Sequence, residues 1–401
     1  MDTDGTAPRL PRRVIGALGL ALLCSYGSLY YTVGALAPRV AETFGVDKPV
    51  IFAWFSASLL ISGLLAPRMG RYIEAHGAGR ILVAGALLSV AALATLALAP
   101  HPVVFGIGLI AGQLAGLCVF YDAAFAAMAE AEGEKARGSI TELTLIAGFA
   151  STTYWPLTVF LADAFGWRAA FGTFAAIQLV LVLPLELYVT RQLGRAEGAR
   201  PAMPQAALPE APAPTPHLWL FPVLVGVVTL QGFQIAALHA HLIPVLGAIG
   251  AGAGLVWVST LIGPSQVSAR FAERAFQARI GPVALSILSS ALMAAGLFFL
   301  SRVEHMGALA TPLAVGFALF FGAGQGLSYI VRGVVPLMLF GRKGYAVRLG
   351  RLLRVNLAVS AVTPFLVSLS IERFGTTATL DALAVTGVFA VLLSAVMKRI
   401  A

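Results

Sequence analysis

Charged residues are scarce in this chain: Asp, Glu, Lys and Arg make up 11% of its 401 residues, whereas hydrophobic residues make up 59%. Soluble domains contain about 25% charged residues, so this composition excludes an ordinary soluble globular protein. Cysteine is nearly absent too. Cys24 and Cys118 both lie inside apolar runs, which excludes a disulfide framework. The composition predicts a protein whose solvent is lipid.

Motifs for nucleotide hydrolysis and for enzyme catalysis are also missing. No Gly-x-x-x-x-Gly-Lys-Ser/Thr loop occurs, which disfavours a nucleotide-driven pump. The 18 acidic residues and six histidines are mostly dispersed near the ends of apolar runs, which disfavours an embedded active site. We therefore expect no enzyme activity, no cofactor, no bound metal and no nucleic acid partner.

Long apolar runs are the dominant feature. Runs of about 18 or more residues, each long enough to cross ~30 Å of hydrocarbon as a helix, recur along the whole chain. A β-barrel would alternate polar and apolar residues, and these runs are apolar on every side. The sequence predicts an all-α membrane protein with twelve transmembrane helices. The predicted spans are 14–37, 50–67, 81–99, 103–128, 138–162, 168–190, 218–246, 252–269, 281–300, 308–340, 349–371 and 380–397.

The positive charges predict the orientation of these spans. If both termini share one side, that side holds 22 of the 27 Lys and Arg residues. The other side has only Arg39, Lys48, Arg168, Arg302 and Arg373. By the positive-inside rule, both termini are predicted to be cytoplasmic, in the inner membrane of the cell. The net charge of +9 then reflects topology and anionic lipid rather than nucleic acid.

The two halves of the chain are similar to each other. Three charges return 199 positions later at the same spacing: Arg71, Glu74 and Arg80 are matched by Arg270, Glu273 and Arg279. An Ala- and Pro-rich stretch between the halves is typical of an extended linker. We predict two pseudo-symmetric six-helix bundles, residues 1–193 and 218–401, joined by a cytoplasmic linker at 194–217. Such repeats build transporters with a site between the halves.

The loop after the second span resembles a motif of the major facilitator superfamily, and this resemblance extends over essentially the whole chain. The family motif is Gly-x-x-x-Asp-x-x-Gly-Arg-Lys/Arg, and the corresponding string here is GLLAPRMGRY. Gly63, Gly70 and Arg71 match the motif. Pro67 stands where the family has Asp, and Tyr72 stands where it has a second basic residue. The resemblance implies the twelve-helix fold of a secondary transporter.

Four charged residues of these loops are gating candidates. Glu74 is positioned to replace the missing acid of the motif, so that Arg71 and Glu74 hold the cytoplasmic ends of neighbouring helices together. Arg270 and Glu273 are their counterparts in the second half. The alternative is that these residues only supply positive-inside charge and its counter-ions.

The sequence indicates the subfamily less clearly than the family. Span five reads GFASTTYWPL and lacks the Gly-Pro-x-x-Gly-Gly pattern of drug/proton antiporters. Strings such as GRYIEAHGAGR and LIGPSQVSARFAE are similar to bacterial members near the monocarboxylate and oxalate/formate group. That group often has a basic residue in the middle of span eight, and the predicted span at 252–269 has none.

Spans one, four, seven and ten line the central path in this family, so the resemblance implies that their polar residues face a substrate site. On span ten, Gln325, Tyr329 and Arg332 share one helical face. An ionisable residue such as Arg332 is costly in hydrocarbon and is a functional candidate by default. Two interpretations stay open. Its guanidinium binds a carboxylate in bidentate fashion, or its side chain snorkels to the cytoplasmic surface.

Spans one and four add four candidates. Tyr26 and Tyr30 lie one turn apart and would stack on a substrate or pack against each other. Gln113 is a substrate-binding candidate. Asp122 would carry a proton, bind a cationic group or close a gate, but it lies nine residues from Gln113 and therefore on the opposite helical face. We expect an ion pair between helices for Asp122.

Span seven carries Gln231, Gln234 and His241 on roughly one face. His239 points elsewhere, because on a helix two residues apart diverge by about 200°, and a zinc site is therefore disfavoured. The glutamines are substrate-binding candidates. His241 would titrate near neutral pH and gate the extracellular side, although a structural histidine at a helix interface is the commoner outcome.

These features predict a secondary transporter of a small organic solute, with an organic anion such as a carboxylate favoured, working by alternating access. Its partners would be the solute, membrane lipid and, if transport is proton-coupled, H⁺. We expect it to function as a monomer. Two alternatives stay open: an exporter of a drug-like compound, siderophore or other metabolite, and a membrane receptor or assembly factor without transport.

Overall fold

The computed structural model describes residues 10–198, 218–248, 256–305 and 309–401, and within these ranges the chain is helical without β-strands. A helix bonds all of its backbone polar groups internally, which is required where no water is present to bond them. The predicted linker at 194–217 falls mostly outside the described residues. The helix before it continues to Gly198, five residues past the predicted boundary at 193.

The helices are numbered here in chain order. Those before residue 199 are α1 (Arg12–Tyr26, the π-helical segment Gly27–Tyr31 and Thr32–Phe44), α2 (Lys48–His76), α3 (Ala78–Leu98), α4 (Pro102–Val119), α5 (Tyr121–Glu132), α6 (Arg137–Ala147), α7 (Ala150–Phe165) and α8 (Trp167–Ile177, the π-helical segment Gln178–Val182 and Leu183–Gly198). Those after it are α9 (Leu220–Ala248), α10 (Ile262–Phe276), α11 (Pro282–Arg302), α12 (Ala310–Phe340), α13 (Tyr345–Phe374) and α14 (Thr376–Ile400). Described residues up to 198 form the N-terminal part, and those from 218 onward form the C-terminal part.

Ten helical stretches within the described residues are long and apolar enough to cross a membrane. Two of the twelve predicted spans account for the difference. The span at 252–269 begins outside the described residues, and spans four and five fall in one continuous stretch, Pro102–Phe165, of 64 residues. A straight helix of that length would measure about 96 Å, roughly three times the hydrocarbon thickness. The stretch is interrupted, however, by extended backbone at Phe120 and by a 3₁₀ turn at Gly133–Ala136.

Several helix ends meet at one end of the molecule, which we call the termini end. Near the start of α1, the Leu10 N–H donates to Glu132 Oε1 at the end of α5 (2.8 Å). The hydroxyl of Thr190 on α8 donates to the carbonyl of Gly79 at the start of α3 (2.8 Å). Gly77 allows the tight turn from α2 into α3 because its φ of +84° lies in the left-handed region.

Ion pairs at the opposite end of the molecule each lie within one part. Arg39 at the end of α1 pairs with Asp163 at the end of α7, both in the N-terminal part. Arg302 at the end of α11 pairs with Asp381 on α14, both in the C-terminal part. These contacts tie neighbouring helices of the same part together.

Candidate functional site

A cavity of about 100 Å³ lies between the two parts, bordered by α1, α2, α4 and α5 on one side and by α9, α12 and α13 on the other. Seven of the residues predicted from the sequence line it: Tyr26, Tyr30, Gln113, Asp122, Gln231, Tyr329 and Arg332. Seven others lie away from it: Gln234, Gln325, His241, Arg71, Glu74, Arg270 and Glu273. The polar wall also includes Ser62 on α2 and Asn356 and Ser360 on α13.

An ion pair joins the two parts at this cavity. Arg332 Nη2 on α12 donates to Asp122 Oδ2 on α5 at 2.8 Å, and the two side chains are 11% and 13% exposed. The prediction of an ion pair between helices for Asp122 is therefore confirmed. The snorkelling alternative for Arg332 is wrong, because the residue is buried and its guanidinium turns toward Asp122 instead of reaching the membrane surface.

Both members of this pair keep an unused polar atom. Among the described residues, no hydrogen-bond partner reaches Arg332 Nε or Asp122 Oδ1. A buried polar atom without a partner costs about 1–3 kcal/mol, and more when the group is charged. Such atoms at the wall of a cavity are therefore able to bind a ligand that supplies the missing donor or acceptor.

The expectation that Gln113 and Asp122 face opposite ways is wrong. That expectation assumed one continuous helix, but the backbone is extended at Phe120 (φ −86°, ψ −173°), between the end of α4 and the start of α5. This break resets the helical phase, so both side chains line the cavity. Gln113 Nε2 also donates to the carbonyl of Leu29 on α1 (3.1 Å).

Aromatic rings form one side of the cavity. The ring centroids of Tyr26 and Tyr30 are 5.5 Å apart, and those of Tyr26 and Phe120 are 4.3 Å apart. Tyr121 bridges to Tyr329 in the C-terminal part at 5.2 Å. The packing between Tyr26 and Tyr30 is therefore present, and both rings still border the cavity.

Of the predicted residues on α9, only Gln231 lines the cavity; its Nε2 donates to Ser290 Oγ at 3.0 Å. Gln234, predicted for the substrate site, lies outside the lining of this cavity: it is fully buried and donates to Thr386 on α14 (3.2 Å). His241 bonds the carbonyl of Pro364 on α13 (2.9 Å). This contact lies at a helix interface, as in the structural role that the sequence left open as the alternative to gating.

The three polar residues predicted on span ten, which is α12 here, do not all line the cavity. Gln325 Nε2 lies 3.1 Å from His239 Nε2, whereas Tyr329 and Arg332 line the cavity. Gln325, predicted for the substrate site, therefore lies outside the lining of this cavity, with its amide against His239 on α9. The sequence missed His239 as its partner. Within the described residues, no group of three His, Cys, Asp or Glu side chains is arranged to hold a metal.

Asn356 on α13 is the main cavity residue that sequence reasoning missed. Its Nδ2 donates to the carbonyl of Val228 on α9 at 3.1 Å. A side chain on Gly232 would collide with it, since a Cβ there would stand 1.9 Å from Asn356 Nδ2. One signal was available, because Asn356 is the only asparagine in the 401 residues and stands inside an apolar run.

Polar contacts fasten the two parts together at the termini end. Glu273 on α10 accepts from Arg137 Nη2 (2.8 Å) and from the hydroxyl of Thr141 (2.9 Å), both on α6. Arg270 Nη1 donates to the carbonyl of Thr144 at 2.6 Å. Arg274 Nη2 adds an ion pair with Glu142 (2.5 Å), so α10 and α6 are held by several charge-assisted bonds.

Helices α2 and α13 make the second connection between the parts. The Glu74 carboxylate accepts from the backbone N–H of Val347, in the first turn of α13 (3.2 Å), where the helix dipole favours negative charge. A Cβ on Gly70 would stand 2.4 Å from the Ala346 carbonyl oxygen, so the motif glycine permits this close approach. Arg71 is exposed, and no hydrogen bond or ion pair of its side chain occurs among the described residues.

A larger recess of about 950 Å³ opens at the termini end and is separate from this cavity. Its charged wall mixes both signs, including Arg80, Lys343 and Glu74. Glu74 in this wall already accepts a hydrogen bond from α13. The Arg332–Asp122 cavity is the candidate solute site, because its buried ion pair keeps polar atoms without a partner among the described residues.

Long apolar helices around a polar cavity are the arrangement that a multi-pass membrane transporter requires. The sequence model of the Major Facilitator Superfamily matches residues 18–344, and the chain belongs to this family. The family resemblance seen in the loop motif is therefore confirmed. Membership makes the chain a transporter and not an enzyme.

Two solved structures share the fold. The crystal structure of the human organic anion transporter MFSD10 (TETRAN) has a TM-score of 0.74 and 16% identity, with 96% of this chain and 100% of that chain covered. The proton:xylose symporter XylE bound to 6-bromo-6-deoxy-D-glucose has a TM-score of 0.69 and 14% identity, with 96% of this chain and 95% of that chain covered. No curated protein matches the chain by sequence.

Proposed function

We propose that this protein is a secondary active transporter of a small organic anion, such as a carboxylate. The observation that carries the proposal is Arg332: its guanidinium borders the cavity between the two parts and has one nitrogen, Nε, without a partner among the described residues. Arginine presents a planar fork of donors that matches a carboxylate. A solute carboxylate would bond Nε and share or replace the bond that Asp122 now makes to Nη2.

The cavity also favours a small solute over a drug-like one. Its volume of about 100 Å³ is below the roughly 300–1,000 Å³ typical of sites for drug-sized ligands. The rings of Tyr26, Tyr30 and Tyr329 would contact the carbon skeleton, and the amides of Gln113, Gln231 and Asn356 would bond its polar groups. Export of a drug-like compound, siderophore or other metabolite is the alternative.

Transport would proceed by alternating access. The contacts at the termini end, Glu273 with Arg137 and Glu74 with α13, would hold the carrier closed on that side. After they break, the cavity would open toward the termini end while the two parts approach each other at the opposite end. By the positive-inside rule the termini end would be cytoplasmic, in the inner membrane.

The complete architecture that we propose has twelve transmembrane helices in two pseudo-symmetric six-helix bundles, residues 1–193 and 218–401, with a linker at 194–217. It adds to the ten stretches a second crossing within Pro102–Phe165 and one crossing at 252–269. We further propose that the carrier works as a monomer and that H⁺ is its coupling ion. A place near the monocarboxylate and oxalate/formate group remains part of this proposal.

The two similar structures do not indicate which substrate this chain carries. One is described as an organic anion transporter and the other as a proton:xylose symporter, and both are less than 20% identical to this chain. Similarity at this level concerns the fold alone, and different solutes are carried on one fold. The proposal of an anion therefore depends on Arg332.

The test is a thermal-shift screen of purified protein against lactate, oxalate, amino acids, sugars and lipophilic cations. We expect stabilisation by a carboxylate, and its loss in a protein carrying both Arg332→Gln and Asp122→Asn. The double variant is preferred because removing one member of a buried ion pair leaves an uncompensated charge, which costs about 3–5 kcal/mol. Arg351→Ala, an exposed arginine on α13, is the matched control. Stabilisation by lipophilic cations alone would support the exporter, and no stabilisation by any class would favour a receptor or assembly factor.

A further inference from the structure

Glu186 is an acidic residue deep in α8 that the proposed solute site does not use. It lies between two contacts that fix the helix: Gln178 Nε2 donates to Ser28 Oγ on α1 (2.9 Å), and Thr190 Oγ1 donates to the Gly79 carbonyl on α3 (2.8 Å). The sequence placed the end of this span at residue 190, shortly after Glu186. The helix instead continues to Gly198.

The carboxyl of Glu186 is buried without a partner. The residue is 0% exposed, and neither oxygen has a hydrogen-bond partner among the described residues. Glu132 on α5 provides the contrast, since it is 2% exposed but accepts from Leu10 N (2.8 Å) and from Ser139 Oγ (2.6 Å). The two carboxyls share their burial and differ in whether their charge is compensated.

Charged groups on the surrounding helices do not compensate Glu186. Helix α8 packs against α1, α3 and α5. Between Arg13 and Cys24, α1 carries only apolar residues and glycines, and α3 carries only such residues from 81 to 88. The arginines of these helices and of α8 itself are exposed at six positions, Arg12, Arg13, Arg80, Arg168, Arg191 and Arg195, and the seventh, Arg39, pairs with Asp163 at the opposite end of the molecule. The remaining titratable groups on these helices are Cys24, Tyr26, Tyr30, Tyr31, Glu42, Tyr121, Asp122, Glu130, Glu132, Tyr188 and Glu197. Asp122 pairs with Arg332, and Glu130 bonds the Ala78 N–H.

An isolated carboxylate in such surroundings is so costly that a buried acid takes up a proton instead. We propose that Glu186 is a proton-binding site of this carrier, protonated in the present conformation and able to release its proton when the packing of α8 against α1 changes. The ligand is H⁺ itself. Proton binding by Glu186 is independent of the solute, whereas its use in transport rests on the proposed function.

Helix geometry connects this carboxyl to the solute cavity. Helices α1 and α8 each contain a π-helical segment, Gly27–Tyr31 and Gln178–Val182, and the Gln178–Ser28 hydrogen bond joins the two segments. Such segments occur frequently at functional sites. Tyr30, within the first segment, borders the solute cavity. We expect a movement of α1 on solute binding to change the packing of α1 against α8, where Glu186 is buried.

The first test is infrared spectroscopy of the purified protein at pH 7, with ¹³C-labelled glutamate to separate glutamate from aspartate bands. We expect the carbonyl stretch of a protonated glutamic acid in the wild type, its loss in Glu186→Gln and its persistence in Glu132→Gln. Because a variant can fail to fold, the wild type is also measured alone by ¹³C NMR of the same label. A wild type without a protonated glutamate, or a Glu186→Gln protein that retains the band, would overturn the proposal.

The second test uses proteoliposomes loaded with a pH-sensitive dye and supplied with radiolabelled lactate or oxalate. We expect Glu186→Gln to keep exchange of labelled for unlabelled solute and to lose accumulation driven by a pH gradient. Accumulation equal to that of the wild type would refute the release of the proton during transport. If the wild type moves neither solute, the proposed function fails, while the spectroscopic test still decides whether Glu186 binds a proton.

Discussion

Glu273 is the residue whose change should most clearly shift the conformation of the carrier. Its side chain is 1% exposed and accepts hydrogen bonds from Arg137 and Thr141 across the contact between the two parts. Glu273→Gln preserves the shape and removes the charge. A hydrogen bond to a charged group contributes about 1.5–3 kcal/mol, so we expect the closed termini end to lose about 2 kcal/mol, or roughly 30-fold in population.

The assay is a distance measurement between spin labels on Lys135 and Arg279, two exposed residues on either side of that contact. Both native cysteines, Cys24 and Cys118, are buried and can be replaced first. The predicted result is a new population at longer distance in Glu273→Gln, and none in Glu42→Gln, an exposed glutamate at the opposite end. An unchanged distance distribution in Glu273→Gln would refute the view that this network holds the termini end closed.

Three further predictions concern close packing and a residue outside the cavity lining. Gly70→Val should separate α2 from α13, because its Cβ would stand 2.4 Å from the Ala346 carbonyl oxygen; the same labels should then report the longer distance. Gly232→Ala should lower the free energy of unfolding by about 1–2 kcal/mol, because its Cβ displaces Asn356. In a protein that also carries Asn356→Ala, this cost should largely disappear. Additive losses in the double variant would contradict the assigned contact. Gln234→Ala should leave solute affinity unchanged, because this residue bonds α14, and a tenfold loss of affinity would return it to the site.

Hydropathy and loop charges predicted the helical membrane fold, because the solvent of a span determines its composition over 20 residues at a time. The site depended on helical phase, which a single local break changes. Gln113 and Asp122 were assigned to opposite faces because the extended backbone at Phe120 is not visible in the sequence. Periodicity likewise predicted Gln234 and Gln325 at the site, but their amides contact Thr386 and His239 on other helices.

Charge contacts were predicted in kind but not in detail. The spacing that repeats in Arg270 and Glu273 marked a segment that contacts the other part, but both residues lie on helix α10 and not in a loop. Their partners on α6 depend on how the parts pack. Glu186 lies inside the predicted span at 168–190 but close to its end, and for that reason it was passed over, whereas the helix continues for another twelve residues to Gly198. The end of an apolar run does not mark the end of the helix.

Uptake of radiolabelled lactate and oxalate into proteoliposomes tests the central claim most directly. The account predicts saturable uptake by the wild type and by Arg351→Ala, and its loss in the variant carrying both Arg332→Gln and Asp122→Asn, with thermal stability retained. Uptake that persists in the double variant at the wild-type rate would contradict an anion site built on Arg332.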